Sequence, residues 1–234
     1  MAEYKGIKGF KVQYLSADPS NPIIGQTWYN STSKDLKYTS VTTAGTWASA
    51  TSMGTARTEL AGFGTQTAAL AAGGEIAPGP VTAATEKYDG NSWTSSNNMN
   101  TARRLLAGAG TQTAGLAFGG TTGSITAATE EYDGISWATS NSLNTARIAL
   151  RGAGIQTAAL AFGGGSIPPV TGATEEYDGT SWITSPGSLN TARARLGGAG
   201  TTTAALGFGG EPYTAATEEW NGAGATVTKT ITVS

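Results

Sequence analysis

The sequence predicts an all-β protein arranged as a β-propeller of five four-stranded blades, and three observations lead there. A block opened by Thr-Ala-Arg recurs with its arginine at Arg57, Arg103, Arg147 and Arg193, in steps of 46, 44 and 46 residues. Each block breaks at turn signals into four short segments. Glycines interrupt alanine- and leucine-rich lines such as "TARRLLAGAGTQTAGLAFGG", and a helix interior would lose roughly 1 kcal/mol for each of them relative to alanine. Four strands in about 45 residues is the arithmetic of one blade.

The first strand of each block, "RRLLAGAG" in the second copy, is expected nearest the propeller axis, where only small residues such as Ala-Gly-Ala-Gly fit. A Gly-Thr-Gln-Thr turn leads into "TAGLAFGG", which ends in the glycine pairs 73/74, 119/120, 163/164 and 209/210. A Gly/Pro-rich stretch of changing length precedes "ATEEYDG", and the hairpin signal Asp-Gly-x-Ser precedes "SWATSNSLN". Trp93, Trp137 and Trp182 each follow a tyrosine by five residues, and Met99 and Leu143 come six later and Leu189 seven later; the fourth copy has Ala225 and Ile231 there. These rings belong on outer strands where blades diverge, and burying each is worth on the order of 1.5 to 3 kcal/mol.

The blades are assigned to residues 55–100, 101–144, 145–190 and 191–234, with "TVTKTITVS" as the last outer strand. Residues 25–54 read as a degenerate blade, because Trp47 and Met53 repeat the six-residue spacing of Trp93 and Met99. Its strands would be "KGFKVQYL", "GQTWYNST" and "DLKYTS", with Trp28 and Tyr38 as packing residues. Residues 1–24 are either the first strand of that blade or an arm docked on a neighbouring subunit through Lys5, Lys8, Phe10 and Lys11. Simple solvation is the plainer reading of the lysines.

Composition narrows the function. Among 234 residues there is no cysteine and no histidine, which removes thiolate nucleophiles, disulfides, the usual general base and the commonest metal ligand. No enzyme, no cofactor and no metal is therefore expected. Charged residues are 13% and the net charge is -2, so no basic field gathers nucleic acid. The first residues lack a secretory pattern, and no apolar run reaches the roughly 20 residues of a membrane helix, so a soluble chain without membrane insertion is expected.

The charges kept in register are Arg57, Arg103, Arg147 and Arg193 with Glu86, Glu130, Glu175 and Glu218. They read either as a ring binding an anion or as structural pairs that fix the register of a small-residue core. Asp89, Asp133 and Asp178 read as turn formers, with calcium ligation as the thinner alternative. The glycine pairs lack the Gly-Lys-Ser/Thr ending of a phosphate loop and suit close backbone approach. Glu130 and Glu131 point to opposite faces of a strand and form no acid/base pair. The stretches "EIAPGPV", "TTGSI", "GSIPPV" and "EPY" between second and third strands differ in every copy. Loops on a rigid scaffold carry recognition, which marks Ile76, Pro78, Thr121, Ile125, Ile167, Pro168, Pro169, Glu211 and Tyr213 as candidate outward-facing contacts.

The order of glycine pair, tyrosine and tryptophan, as in Gly119-Gly120, Tyr132 and Trp137, resembles the Kelch repeat of β-propellers over residues 55–222, with a period somewhat shorter than usual. Whole phrases such as "NTAR", "LAGAGTQTA" and "TEEYDG" are similar to repeats of structural proteins of tailed bacteriophages, marine and cyanobacterial ones especially. "GQTWYNSTSKDLK" also resembles a β-hairpin unit near the start of phage virion proteins. The resemblance implies a Kelch-like virion protein that decorates a capsid or belongs to a collar, tail or fibre. Its partners would be other virion proteins, and its location the virion, assembled in the host cytoplasm. A host-recognition module binding surface glycans is the alternative.

Overall fold

The computed structural model describes residues 12–21, 26–39, 47–76, 78–165 and 169–222. All its regular elements are strands, in five small sheets of three or four. The chain divides into two compact units, Met1–Ser49 and Ala50–Ser234.

The first unit holds β1 (Gln13–Leu15), β2 (Thr27–Asn30) and β3 (Asp35–Tyr38). β2 and β3 form an antiparallel hairpin with Trp28 opposite Lys37. The Asn30 side-chain oxygen caps the turn by accepting from the Thr32 and Ser33 amides at 3.0 and 3.1 Å. β1 runs parallel to β2, with Tyr14 stacked on Tyr29 at 5.1 Å. This departs from the expected blade, whose strands would alternate in direction: hydrophobic alternation sets which face a residue takes but not the direction of the partner strand. The Asp18 carboxylate ties the sheet together, accepting from Lys37 Nζ (2.7 Å), Asn30 Nδ2 (2.8 Å) and Trp28 Nε1 (2.9 Å).

The second unit contains the repeats. Its sheets are β4 (Ala61–Thr65), β5 (Ala68–Ala72), β6 (Thr85–Tyr88) and β7 (Trp93–Ser96); β8 (Ala107–Thr111), β9 (Ala114–Phe118), β10 (Thr129–Tyr132) and β11 (Trp137–Ser140); β12 (Arg151–Ile155), β13 (Ala158–Phe162), β14 (Ala173–Tyr177) and β15 (Trp182–Ser188); and β16 (Gly197–Gly200), β17 (Ala204–Phe208) and β18 (Thr217–Asn221). Each sheet is an antiparallel meander in chain order. The expected outer strand "TVTKTITVS" lies outside the described residues, as do Lys5, Lys8, Phe10 and Lys11.

Successive sheets approach through their first strands: β4 lies beside β8, β8 beside β12, and β12 beside β16. A β-propeller uses the same arrangement. Three apolar clusters fill the three junctions. Leu70, Met99, Leu106, Tyr132 and Trp137 occupy the first, Leu116, Phe118, Leu150, Tyr177 and Trp182 the second, and Leu160, Phe162 and Leu196 the third.

The glycines of the first strands have a sharper reason than general crowding. A Cβ on Gly108 would fall 2.5 Å from the Phe63 ring, and one on Gly152 would fall 2.5 Å from the Gly108 carbonyl oxygen and 2.7 Å from the Phe118 ring. Each glycine leaves a slot that an aromatic ring of the preceding sheet fills, so neighbouring backbones come close enough to exclude water.

Candidate functional site

The connector before each first strand and the loop between second and third strands lie together at one end of each sheet. The residue after each Thr-Ala-Arg pairs with the residue after each glycine pair: Thr58 with Glu75, Arg104 with Thr121, Ile148 with Gly165, and Ala194 with Glu211. In the second repeat Gly119 makes this possible. Its φ is +67°, a left-handed conformation, and a Cβ there would sit 2.8 Å from the Arg147 carbonyl oxygen.

Beneath this end sits one clasp per repeat. Arg103 Nη2 donates to Glu130 Oε1 (3.0 Å) and Nη1 to the Gly119 (3.1 Å) and Ala128 carbonyls. Glu130 Oε2 accepts from the Asn100 amide at 2.6 Å, so one carboxylate joins the third strand to the connector. Arg147 with Glu175 (2.9 Å), Arg193 with Glu218 (2.8 Å) and Arg57 with Glu86 (3.1 Å) repeat the arrangement. The four guanidinium side chains are at most 1% exposed. Burial pushes the pKa of Arg57, Arg103 and Arg147 down, and the paired glutamates oppose it. With Nη1 and Nη2 committed to carbonyls and a carboxylate, these cations present no open donor pair to an external anion; only Nε of each has no acceptor among the described residues.

Asp89, Asp133 and Asp178 lie at the opposite end of the sheets. Oδ1 of Asp133 accepts from the Ile135 (2.8 Å) and Ser136 (2.7 Å) amides, and Asp89 and Asp178 do the same in their turns. The Ser amide first, then the preceding one, lowers each carboxyl pKa.

The variable loops split into displayed and structural residues. Tyr213 is 96% exposed and Ile125 39%, while Pro78 and Pro169 are exposed and Ile76 half-buried. Thr121 is not outward-facing: it is buried, because its backbone bridges both Arg104 and Ile125. Glu211 is half-buried and paired with Arg195 at 3.2 Å. The residue after each glycine pair closes the loop base, so display begins further on. Ile167 and Pro168 lie outside the described residues.

Two features at this end have no clear sequence signal. Arg104 Nη1 bridges Glu59 (2.7 Å) and Glu75 (2.9 Å) across the first junction. Glu59, Leu105, Ala149 and Arg195 all have φ between 52° and 56°, although none is glycine. That conformation aims each amide at the preceding repeat: Leu105 donates to the Glu59 carbonyl (2.9 Å), Ala149 to Leu105 (2.8 Å) and Arg195 to Ala149 (2.8 Å). Only the spacing they share with the arginines could have marked them.

Among the described residues no group of three or more acidic side chains could hold a metal ion. The arrangement offers apolar and aromatic contact points on a braced frame, which suits binding by surface complementarity. No family model matches the chain, and no curated protein is similar to it.

Proposed function

We propose that this chain is a non-enzymatic structural protein of a tailed-bacteriophage virion, a Kelch-like propeller scaffold that docks on other virion proteins. The four repeats supply its blades. The N-terminal unit, whose hairpin carries "TWYNSTSKDLKY", serves as the attachment piece rather than as a fifth blade. One contrast carries the reading: the buried Arg–Glu clasp is the same in four repeats, while the loops above it differ and end in exposed side chains such as Ile125 and Tyr213. A fixed frame with varied tips is how binding surfaces are built. Deleting residues 1–24 tests the attachment: particles should then lack the chain, and unchanged incorporation would remove the role of this segment.

A second reading has its own observation. Tyr213 presents a nearly bare ring two residues after Glu211, which pairs with Arg195, and such a ring stacks well on a sugar face. A glycan array with no signal above a Tyr213→Ala control would dismiss host-sugar binding.

A further inference from the structure

The first two internal junctions each join two unlike faces. The leading face of one sheet offers a ring, a buried threonine hydroxyl and two carbonyls. The trailing face of the next offers a glycine slot, a tryptophan N–H and a glutamine amide. Thus Trp137 Nε1 donates to Thr85 Oγ1 (2.9 Å) and Gln112 Nε2 to the Ala69 (2.9 Å) and Tyr88 (2.6 Å) carbonyls. At the next junction Trp182 reaches Thr129 (3.0 Å) and Gln156 reaches the Gly115 (3.0 Å) and Tyr132 (2.9 Å) carbonyls. The third junction shares only the ring and the slot, Phe162 lying against Gly198, because Thr202 stands where the glutamine would.

The array carries both halves of this junction unused. On the trailing face of the first sheet Gly62 and Gln66 are exposed, and neither the Gln66 side chain nor Trp93 Nε1 has a hydrogen-bond partner among the described residues. On the leading face of the fourth sheet Phe208 is 42% exposed and Thr217 is exposed. Their counterparts Phe118 and Thr129 are both 0% exposed. The backbone ladder is open in the same way: the Glu59 amide and the Arg195 carbonyl, its two ends, are unpaired among the described residues. The ladder's inner members, Leu105 and Ala149, are uncharged, whereas its ends carry opposite charges, each already paired within the chain, Glu59 with Arg104 and Arg195 with Glu211. No hydrogen bond joins the first and fourth sheets among the described residues.

We propose that a second copy of this chain docks head to tail, the leading face of the fourth sheet of one copy receiving the trailing face of the first sheet of the other. The first two internal junctions are the template for the contact, and the third shares its ring-in-slot packing. Phe208 would enter the slot at Gly62, Gln66 would reach the Ala205 and Trp220 carbonyls, and Glu59 would lie beside Arg195. This is a heterologous contact, which closes into a ring or extends as a filament according to the rotation it imposes. It stands whatever the variable loops bind, but it excludes closure of the first sheet onto the fourth within one copy, so the propeller of the proposed function would be completed between copies.

Sedimentation of the full chain over a concentration series tests it. Wild type should form multiples of the 23.6 kDa protomer as concentration rises. Phe208→Glu and Gly62→Trp should each remain monomeric with melting curves close to wild type, since both positions are exposed. Mixed together they should form a 1:1 dimer that grows no further, because one intact leading face and one intact trailing face remain. Gln66→Ala should weaken the contact about tenfold, the worth of one or two hydrogen bonds. Should either blocking variant fail to fold, Gln66→Glu takes its place, setting a carboxylate against two carbonyls. Wild type monomeric up to its solubility limit, which is also the result if the chain covers its own faces, overturns the proposal. So does association unaffected by the blocking variants, or failure of the two variants to pair.

Discussion

Arg103 and Glu130 face each other at 3.0 Å inside the second sheet, both side chains at most 2% exposed. Their pairing fastens three separate pieces of one repeat, because the arginine also holds the carbonyls of Gly119 and Ala128 while the glutamate holds the Asn100 amide. Removing one partner strands the other as a buried charge. Arg103→Met and Glu130→Gln should each lower stability by about 3 to 5 kcal/mol, and the double variant Arg103→Met/Glu130→Leu by less than their sum. Urea unfolding followed by tryptophan fluorescence reads all three.

The glycine slots predict a position-dependent cost for a single methyl group. Gly152→Ala meets the fixed carbonyl of Gly108 at 2.5 Å and should cost about 1 to 3 kcal/mol. Gly62→Ala, whose Cβ would meet nothing closer than 4.0 Å, should change stability by no more than about 0.5 kcal/mol. Equal effects in denaturant unfolding would contradict the slot explanation.

Tryptophans at equivalent places should differ for a related reason. Trp137 is 6% exposed and its indole N–H reaches the buried Thr85 hydroxyl, so Trp137→Phe should cost about 1 to 3 kcal/mol through the unpaired hydroxyl. Trp93 is half-buried with no such partner among the described residues, and Trp93→Phe should cost less in the same thermal or chemical melts.

In the N-terminal unit, Lys37 first, then Asn30 and Trp28, hold the Asp18 carboxyl down to about 2. A carboxyl whose folded pKa is depressed contributes stability above its unfolded value near 3.8, and that contribution is lost as pH falls through the folded value. Carbon-detected NMR should show Asp18 titrating near 2, with the Trp28 indole N–H shifting in step; Lys37→Ala should move the midpoint up toward 3.8.

Much of the repeat was readable because its landmarks are chemical identities: the Arg, the glycine pair, Glu, Tyr and Trp recur as letters, and the strands of the second unit fall between the turns they mark. The backbone ladder was not readable, since Glu59, Leu105, Ala149 and Arg195 share a dihedral angle and no side-chain property. Burial of Thr121 was hidden for the opposite reason. It sits in a variable loop by sequence, yet its backbone belongs to the loop base. The parallel partnership of β1 with β2 is a choice of strand direction, on which the pattern of "KVQYL" and "QTWYN" is silent.

The proposal that the chain is a built-in part of a phage particle is tested most directly by mass spectrometry of gradient-purified particles. Peptides spanning the repeats should be recovered with the intact particles and withstand a high-salt wash. Recovery only in the soluble lysate fraction, with particles complete and infectious without the chain, would contradict it.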